Sequence, residues 1–101
     1  MAKKRPRPPY TVRLTTEAEA DIDGLEKKIR RQVVRKLDAL AGNPRPPKCK
    51  RLGEADHLYR VRSGDFRILY QIQDKVLKVL VVRVGDRKNV YSRLPPFRRG
   101  P

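Results

Sequence analysis

Apolar residues recur along the middle of this chain with two different periods, and each predicts a different kind of element. Between Thr16 and Leu40 the period is helical. Ala18, Ile22 and Leu25 recur at helical spacing, and then Ile29, Val33, Leu37 and Leu40 follow at spacings of four, four and three. Each set lines one side of a helix. Thr16 with Glu19 three residues on is a capping-box signal that predicts where the first helix starts. Gly24 falls late in that pattern and weakens or ends it, while Gly42-Asn43-Pro44 terminates the second, longer helix. The other side of that helix carries Lys27, Lys28, Arg30, Arg31, Arg35 and Lys36.

Elsewhere the period is two, the signature of strands. Tyr10 to Leu14 alternates and reads as a first strand. Three more are predicted at roughly 58–63, 66–73 and 76–84. Ser63-Gly64-Asp65 and Gln73-Asp74-Lys75 join them; turns this short make the strands antiparallel neighbours. Val76 to Val84 is nearly all apolar, as a central strand buried at least in part on both faces requires. Phe66, Ile68, Tyr70 and Ile72 share one face of their strand and should meet the helical stripes. Tyr59 and Tyr70 fall on the apolar phase and are expected in the core. The predicted class is α+β, in the order β-α-α-β-β-β: a helical hairpin packed on one face of a small antiparallel sheet. The first strand is expected at an edge, its pairing unsettled. Arg45 to Ala55 is expected to be a loop. Residues 10–94 form one domain, flanked by a flexible basic, Pro-rich tail over 1–9 and a basic tail over 95–101.

Charge changes this picture from fold to function. The chain has 101 residues and a net charge of +15, from 26 Lys and Arg against 11 Asp and Glu. Such an excess points to nucleic acid, an anionic membrane surface or an acidic protein as partner. No apolar run approaches the ~20 residues of a membrane span. The start lacks the apolar region of a secretory signal. The single cysteine, Cys49, suits a reducing cytoplasm, where the protein is expected to reside. One His and one Cys make a metal site improbable; neither metal nor cofactor is expected.

The excess is concentrated in one stretch. Tyr59-Arg60-Val61-Arg62-Ser63-Gly64-Asp65-Phe66-Arg67-Ile68-Leu69-Tyr70 reads as a tight hairpin. Its alternation puts Arg60 and Arg62 on one face and Tyr59 and Val61 on the other, with Arg67 just after the turn. Gathered guanidinium groups repel one another, and only Asp65 and Asp86 stand near them in sequence. An external polyanion would supply the missing charge. Arg60 and Arg62 taken alone are equally compatible with ordinary solvent-facing strand positions.

The run from Leu40-Ala41-Gly42-Asn43-Pro44 through Lys50-Arg51-Leu52-Gly53 and this hairpin to Val84-Gly85-Asp86-Arg87-Lys88-Asn89-Val90-Tyr91 resembles the RelE/ParE toxin superfamily, and its RelE branch more closely. The resemblance spans about Tyr10 to Arg93. It implies a ribosome-dependent endoribonuclease that cuts messenger RNA in the A site, held inactive by a neighbouring antitoxin in a hetero-oligomer. Position by position it implies site residues at Arg60, Arg62, Arg67, Arg87 and Tyr91. Some relatives have lysines at the first two, one of them a proposed proton acceptor; both are Arg here.

The implied reaction is attack of a ribose 2′-hydroxyl on the adjacent phosphodiester. Guanidinium suits the phosphorane-like transition state, being planar, always charged and bidentate toward phosphate. Arg67 is the candidate for that task, with Arg60 assisting and Arg87 clamping the phosphate or protonating the leaving oxygen. Arginine is a poor proton acceptor, so Tyr91 or His57 is left as base; Tyr91 otherwise stacks on a nucleobase or packs at the domain edge. Arg30, Arg31, Arg35, Lys48, Lys50 and Arg51 are candidates for contact with RNA or ribosomal phosphates, with a plain solvated face as the simpler reading. An acidic antitoxin is expected to fold onto the cationic surface. Two readings compete: a ParE-like inhibitor of DNA gyrase with the same fold, and a non-catalytic RNA- or ribosome-binding homologue.

Overall fold

The computed structural model describes residues 8–52 and 57–86. Strand β1 covers Thr11–Leu14, helix α1 Thr16–Asp23 and helix α2 Lys27–Gly42. Strands β2 (Lys50–Arg51), β3 (Leu58–Ser63), β4 (Phe66–Gln73) and β5 (Lys78–Asp86) complete the order.

Thr15, one residue earlier than the capping-box pattern predicts, caps α1. Its backbone is extended and its hydroxyl accepts from the Ala18 N–H, one of the donors left open at a helix start. Thr16 already lies inside the helix. Gly24 ends α1 and Asn43 follows the last turn of α2, as expected from the breakers.

The sheet runs β1-β5-β4-β3-β2. The three consecutive strands β3, β4 and β5 pair antiparallel, as their short turns require. Two expectations are corrected. First, the sheet is mixed: β1 does lie at an edge, but runs parallel to β5, with Thr11 beside Lys78 and Leu14 beside Val81. The direction of β1 is set by how the helical hairpin carries the chain across the sheet, which no local signal encodes. Second, the expected loop contains β2, which pairs with β3 through Lys50–Arg60 and Arg51–Tyr59. The final strand also starts two residues late. Asp74–Val76 forms a 3-10 turn, and Leu77 takes a left-handed backbone (φ 51°) before β5 begins. Val76 and Leu77 are exposed there although apolar; turn geometry overrides hydropathy.

One face of the sheet meets the helices. Ala18 and Ile22 from α1 and Val33, Leu37 and Leu40 from α2 pack with Tyr59, Val61, Ile68, Tyr70, Ile72, Val79, Val81 and Val84. Tyr59 and Tyr70 are buried and stacked, centroids 5.9 Å apart, as their phase predicts. On the opposite face Leu58, Leu69 and Val82 form a small second cluster with Leu80 against it. β5 is interior, with alternate residues serving both faces.

No helix among the described residues is long and apolar enough to cross a membrane.

Candidate functional site

The register of β3 and β4 decides where the arginines go. Tyr59 and Val61 face the helices, so Arg60 and Arg62 take the other face with Leu58. Ile68 and Tyr70 also face the helices, which turns Arg67 to the open face with Leu69. Arg62 is directly opposite Arg67, and Arg67 opposite Gly85. The next row is Lys50, Arg60 and Leu69. Directly opposed residues have Cβ atoms about 4.5–5.5 Å apart. Four cations, Lys50, Arg60, Arg62 and Arg67, therefore stand in two adjacent rows beside the apolar patch of Leu58, Leu69 and Val82. Arg62 is exposed; Arg60 and Arg67 are half-buried.

Two glycines serve this face. Gly64 turns the hairpin with φ 62°, and a Cβ there would sit 3.7 Å from Gln32 Oε1 of α2. That is the turn role its position predicts. Gly85 is different: it lies within β5, buried, opposite Arg67, and is no turn residue. It leaves the Arg67 row without a side chain on that side.

β2 covers β3 only as far as Arg60. Beyond it, a groove of about 690 Å³ opens between the edge of β3 and the flank of α2. Its floor is apolar, from Ala39, Leu40, Pro46, Pro47 and Val61, and its rim carries Lys36, Lys48, Lys50, Arg60 and Arg62. An adjoining depression of about 420 Å³ adds Arg35 and meets Arg62 and Gly64. The structure thus brings Lys48, Lys50 and Arg35 into reach of the arginine face, and Lys36 with them. Arg31 lines a third depression on the outer side of α2 with Arg35. Arg30 lies there too, but its Nη2 donates to the Leu25 carbonyl at 3.1 Å, tying it to the link between the helices. Arg51 is exposed on β2, opposite Tyr59 rather than among the arginines. Arg87 and Tyr91 lie outside the described residues.

His57 stands at the other end of β3 from Arg62. Four residues of strand at about 3.3 Å each put roughly 13 Å between the Leu58 and Arg62 positions. His57 is exposed with a left-handed backbone (φ 50°), far from the Arg62–Arg67 pair. Among the described residues no group of His, Cys, Asp and Glu could hold a metal ion.

Sequence reading missed how the wall of the groove is anchored. Arg45 makes a bidentate pair with Asp74, Nη2 to Oδ2 2.8 Å and Nη1 to Oδ1 3.3 Å. Its guanidinium also lies over the Tyr59 ring, 5.5 Å from the centroid. The Tyr10 hydroxyl donates to Asp74 Oδ1 at 2.6 Å. Hydrogen bonds from Arg45 and then Tyr10 hold the Asp74 carboxyl down at about 2; the carboxylate in turn raises the Tyr10 phenol. Beneath, the Tyr70 hydroxyl donates to the Pro44 carbonyl at 2.8 Å. Burial first, and then Cys49, push this phenol above its ordinary range. The one signal for this network was Asp74 facing a cation-rich loop across the sequence.

This arrangement of helices and strands has counterparts among known proteins. The family model of the ParE toxin of type II toxin-antitoxin systems matches residues 12–91. The chain belongs to the RelE/ParE superfamily of type II toxins. Within the superfamily, it is 34% identical over 86 residues to Toxin RelG of Mycobacterium tuberculosis, covering 84% of this chain and 99% of that one. A putative RelE-like toxin protein of Escherichia coli is also 34% identical over 86 residues, covering 82% and 90%. The toxin-antitoxin complex RelBE2 of Mycobacterium tuberculosis has a chain with the same fold, with a TM-score of 0.69 at 34% identity over 78% of this chain and 99% of that one. The superfamily fold, two helices on a five-stranded mixed sheet, is the one described above.

Proposed function

We propose that this superfamily member is the toxin of a RelBE-type pair and acts as a ribosome-dependent, metal-independent endoribonuclease, cutting messenger RNA in the A site. The observation that carries this reading is the direct opposition of Arg62 and Arg67, with Arg60 and Lys50 in the next row. Like charges placed opposite one another on a sheet work against folding, and an anion seated between them would relieve that repulsion. A phosphate held between the rows would accept from several guanidinium groups at once.

In the reaction, the ribose 2′-oxygen attacks phosphorus, the P–O5′ bond breaks, and a 2′,3′-cyclic phosphate and a 5′-hydroxyl result. The proton of the 2′-hydroxyl passes to a base and the 5′-oxygen takes one up. Arg67, with Arg60 and Arg62, would stabilise the extra charge on the phosphorane. Arg87 would clamp the phosphate or give the proton to the leaving oxygen. Tyr91 is the candidate base, and cations beside it would favour its phenolate; the distance of His57 from the arginine pair disfavours His57. Lys48, Lys50, Arg51, Arg30, Arg31 and Arg35 would meet ribosomal or messenger phosphates without reading sequence. The ribosome would align the RNA for in-line attack. An acidic antitoxin would neutralise the same surface, and the site of action is the cytoplasm.

The match to a ParE family model keeps gyrase inhibition as the second reading. In vitro translation with 5′-end mapping of the message separates the two. Cuts inside codons on stalled ribosomes, lost in Arg67→Ala, support the nuclease. Intact message with inhibited supercoiling supports the gyrase reading, and unchanged toxicity of Arg67→Ala overturns the site assignment.

A further inference from the structure

β5 carries a bulge, and helix α1 holds it. Leu69 stands opposite Arg83 but Tyr70 opposite Val81, so Val82 is an extra residue with no partner across on β4. A bulge takes backbone groups out of the ladder, and here side chains of α1 and its cap receive them. The Thr15 hydroxyl donates to the Val82 carbonyl at 3.0 Å while accepting from the Ala18 N–H. Asp21 Oδ2 accepts from the Val84 N–H at 2.9 Å. The same carboxylate takes both Nε and Nη2 of Arg83, each at 2.9 Å. The pair is sequestered, with side-chain exposures of 14% for Arg83 and 5% for Asp21.

The extra residue inverts the phase of everything after it. Past the bulge, Val84 faces the helices beside Ile68, and Gly85 stands beside Arg67 on the cationic face. Without it, each later side chain would move to the opposite face. We propose that Thr15 and Asp21 are positioning residues: by holding the Val82 bulge they fix which side of the sheet the end of β5, with Gly85 beside Arg67, presents to substrate. This rests on the nuclease reading above, although the clamp itself does not.

The test compares two double variants that both remove the ion pair. Asp21→Asn/Arg83→Met keeps an acceptor for the Val84 N–H, and Asp21→Leu/Arg83→Met removes it. Each full-length protein is assayed for single-turnover cleavage on saturating programmed ribosomes, for ribosome affinity and for Val84 amide exchange. The leucine variant should cleave about a hundredfold more slowly, the scale of a catalytic group misplaced by about 1 Å. Its affinity should be unchanged and its Val84 amide should exchange faster. The asparagine variant should match the parent within a few-fold on this scale of effect. Equal cleavage by the two variants, or a loss confined to affinity, overturns the proposal. Should the leucine variant fail to fold, Thr15→Asp replaces it: it keeps the helix cap but has no donor for the Val82 carbonyl, so it should cleave more slowly at unchanged affinity, and cleavage equal to the parent's overturns the proposal. If the parent does not cleave, the nuclease reading fails, and equal Val84 exchange in the two doubles overturns the clamp.

Discussion

Replacing Arg62 by Gln should make the protein more stable and less able to bind RNA. Arg62 is exposed and directly opposite Arg67. Two unit charges about 6 Å apart at a solvated surface repel by about 0.7 kcal/mol in a dielectric near 80, inside the range of about 0.2–1 kcal/mol for cross-strand pairs. Removing one should raise the melting temperature by about 3–5 °C in a domain of this size. The gain should shrink as salt rises, since the screening length falls from about 10 Å at 0.1 M to about 3 Å at 1 M. Gln keeps a similar length and stem, so packing changes little. Binding should move the other way. One lost phosphate contact should reduce the slope of log affinity against log salt by about 0.7 for single-stranded RNA. Affinity at low salt should drop about tenfold, the worth of a charge-assisted bond. Thermal unfolding at low and high salt, with RNA titrations over the same series, measures both. Lys75→Gln, at the turn before β5, is the charge-matched control. A melting temperature that falls for Arg62→Gln at low salt, or a salt slope equal to the control's, would refute the argument that the opposed pair is a strained phosphate site.

Three further outcomes concern the frame of the site. Tyr70→Phe removes the buried bond to the Pro44 carbonyl and should cost about 1–3 kcal/mol in urea unfolding, the penalty of a buried acceptor left unmet. Asp74→Asn tests pH dependence. Its folded pKa, about 2 against an ordinary 3.8, is depressed, so its stabilisation is complete above about pH 4 and vanishes as pH falls toward 2; the variant's melting temperature should lose that part of the acid dependence and the parent's should keep it. Leu77→Gly should stabilise by about 1 kcal/mol in the same unfolding assay, because φ 51° strains a residue with a Cβ, and Leu77 is exposed.

Period and punctuation were enough to place α1, α2, β3 and β4, because those signals are local. A helix stripe or an alternating strand reports which side of itself is apolar, and a short turn forces its neighbours antiparallel. The same alternation places Arg60 and Arg62 on one face. Turn chemistry is less legible: Val76 and Leu77 look like strand, yet close a 3-10 turn whose cost in exposed apolar surface is set by chain reversal rather than by hydropathy. The direction of β1, the pairing of Lys50 with Arg60 and the position of Lys36 at the groove rim were decided only in three dimensions. So was the bulge at Val82, which depends on Thr15 and Asp21, more than sixty residues away in sequence. By itself the sequence determined the two helices, the longer strands, the core and the concentration of positive charge, since each follows from neighbours along the chain. Tertiary structure decided which arginines oppose one another and what holds them there, because register and bulges answer to contacts between segments that sequence order keeps apart.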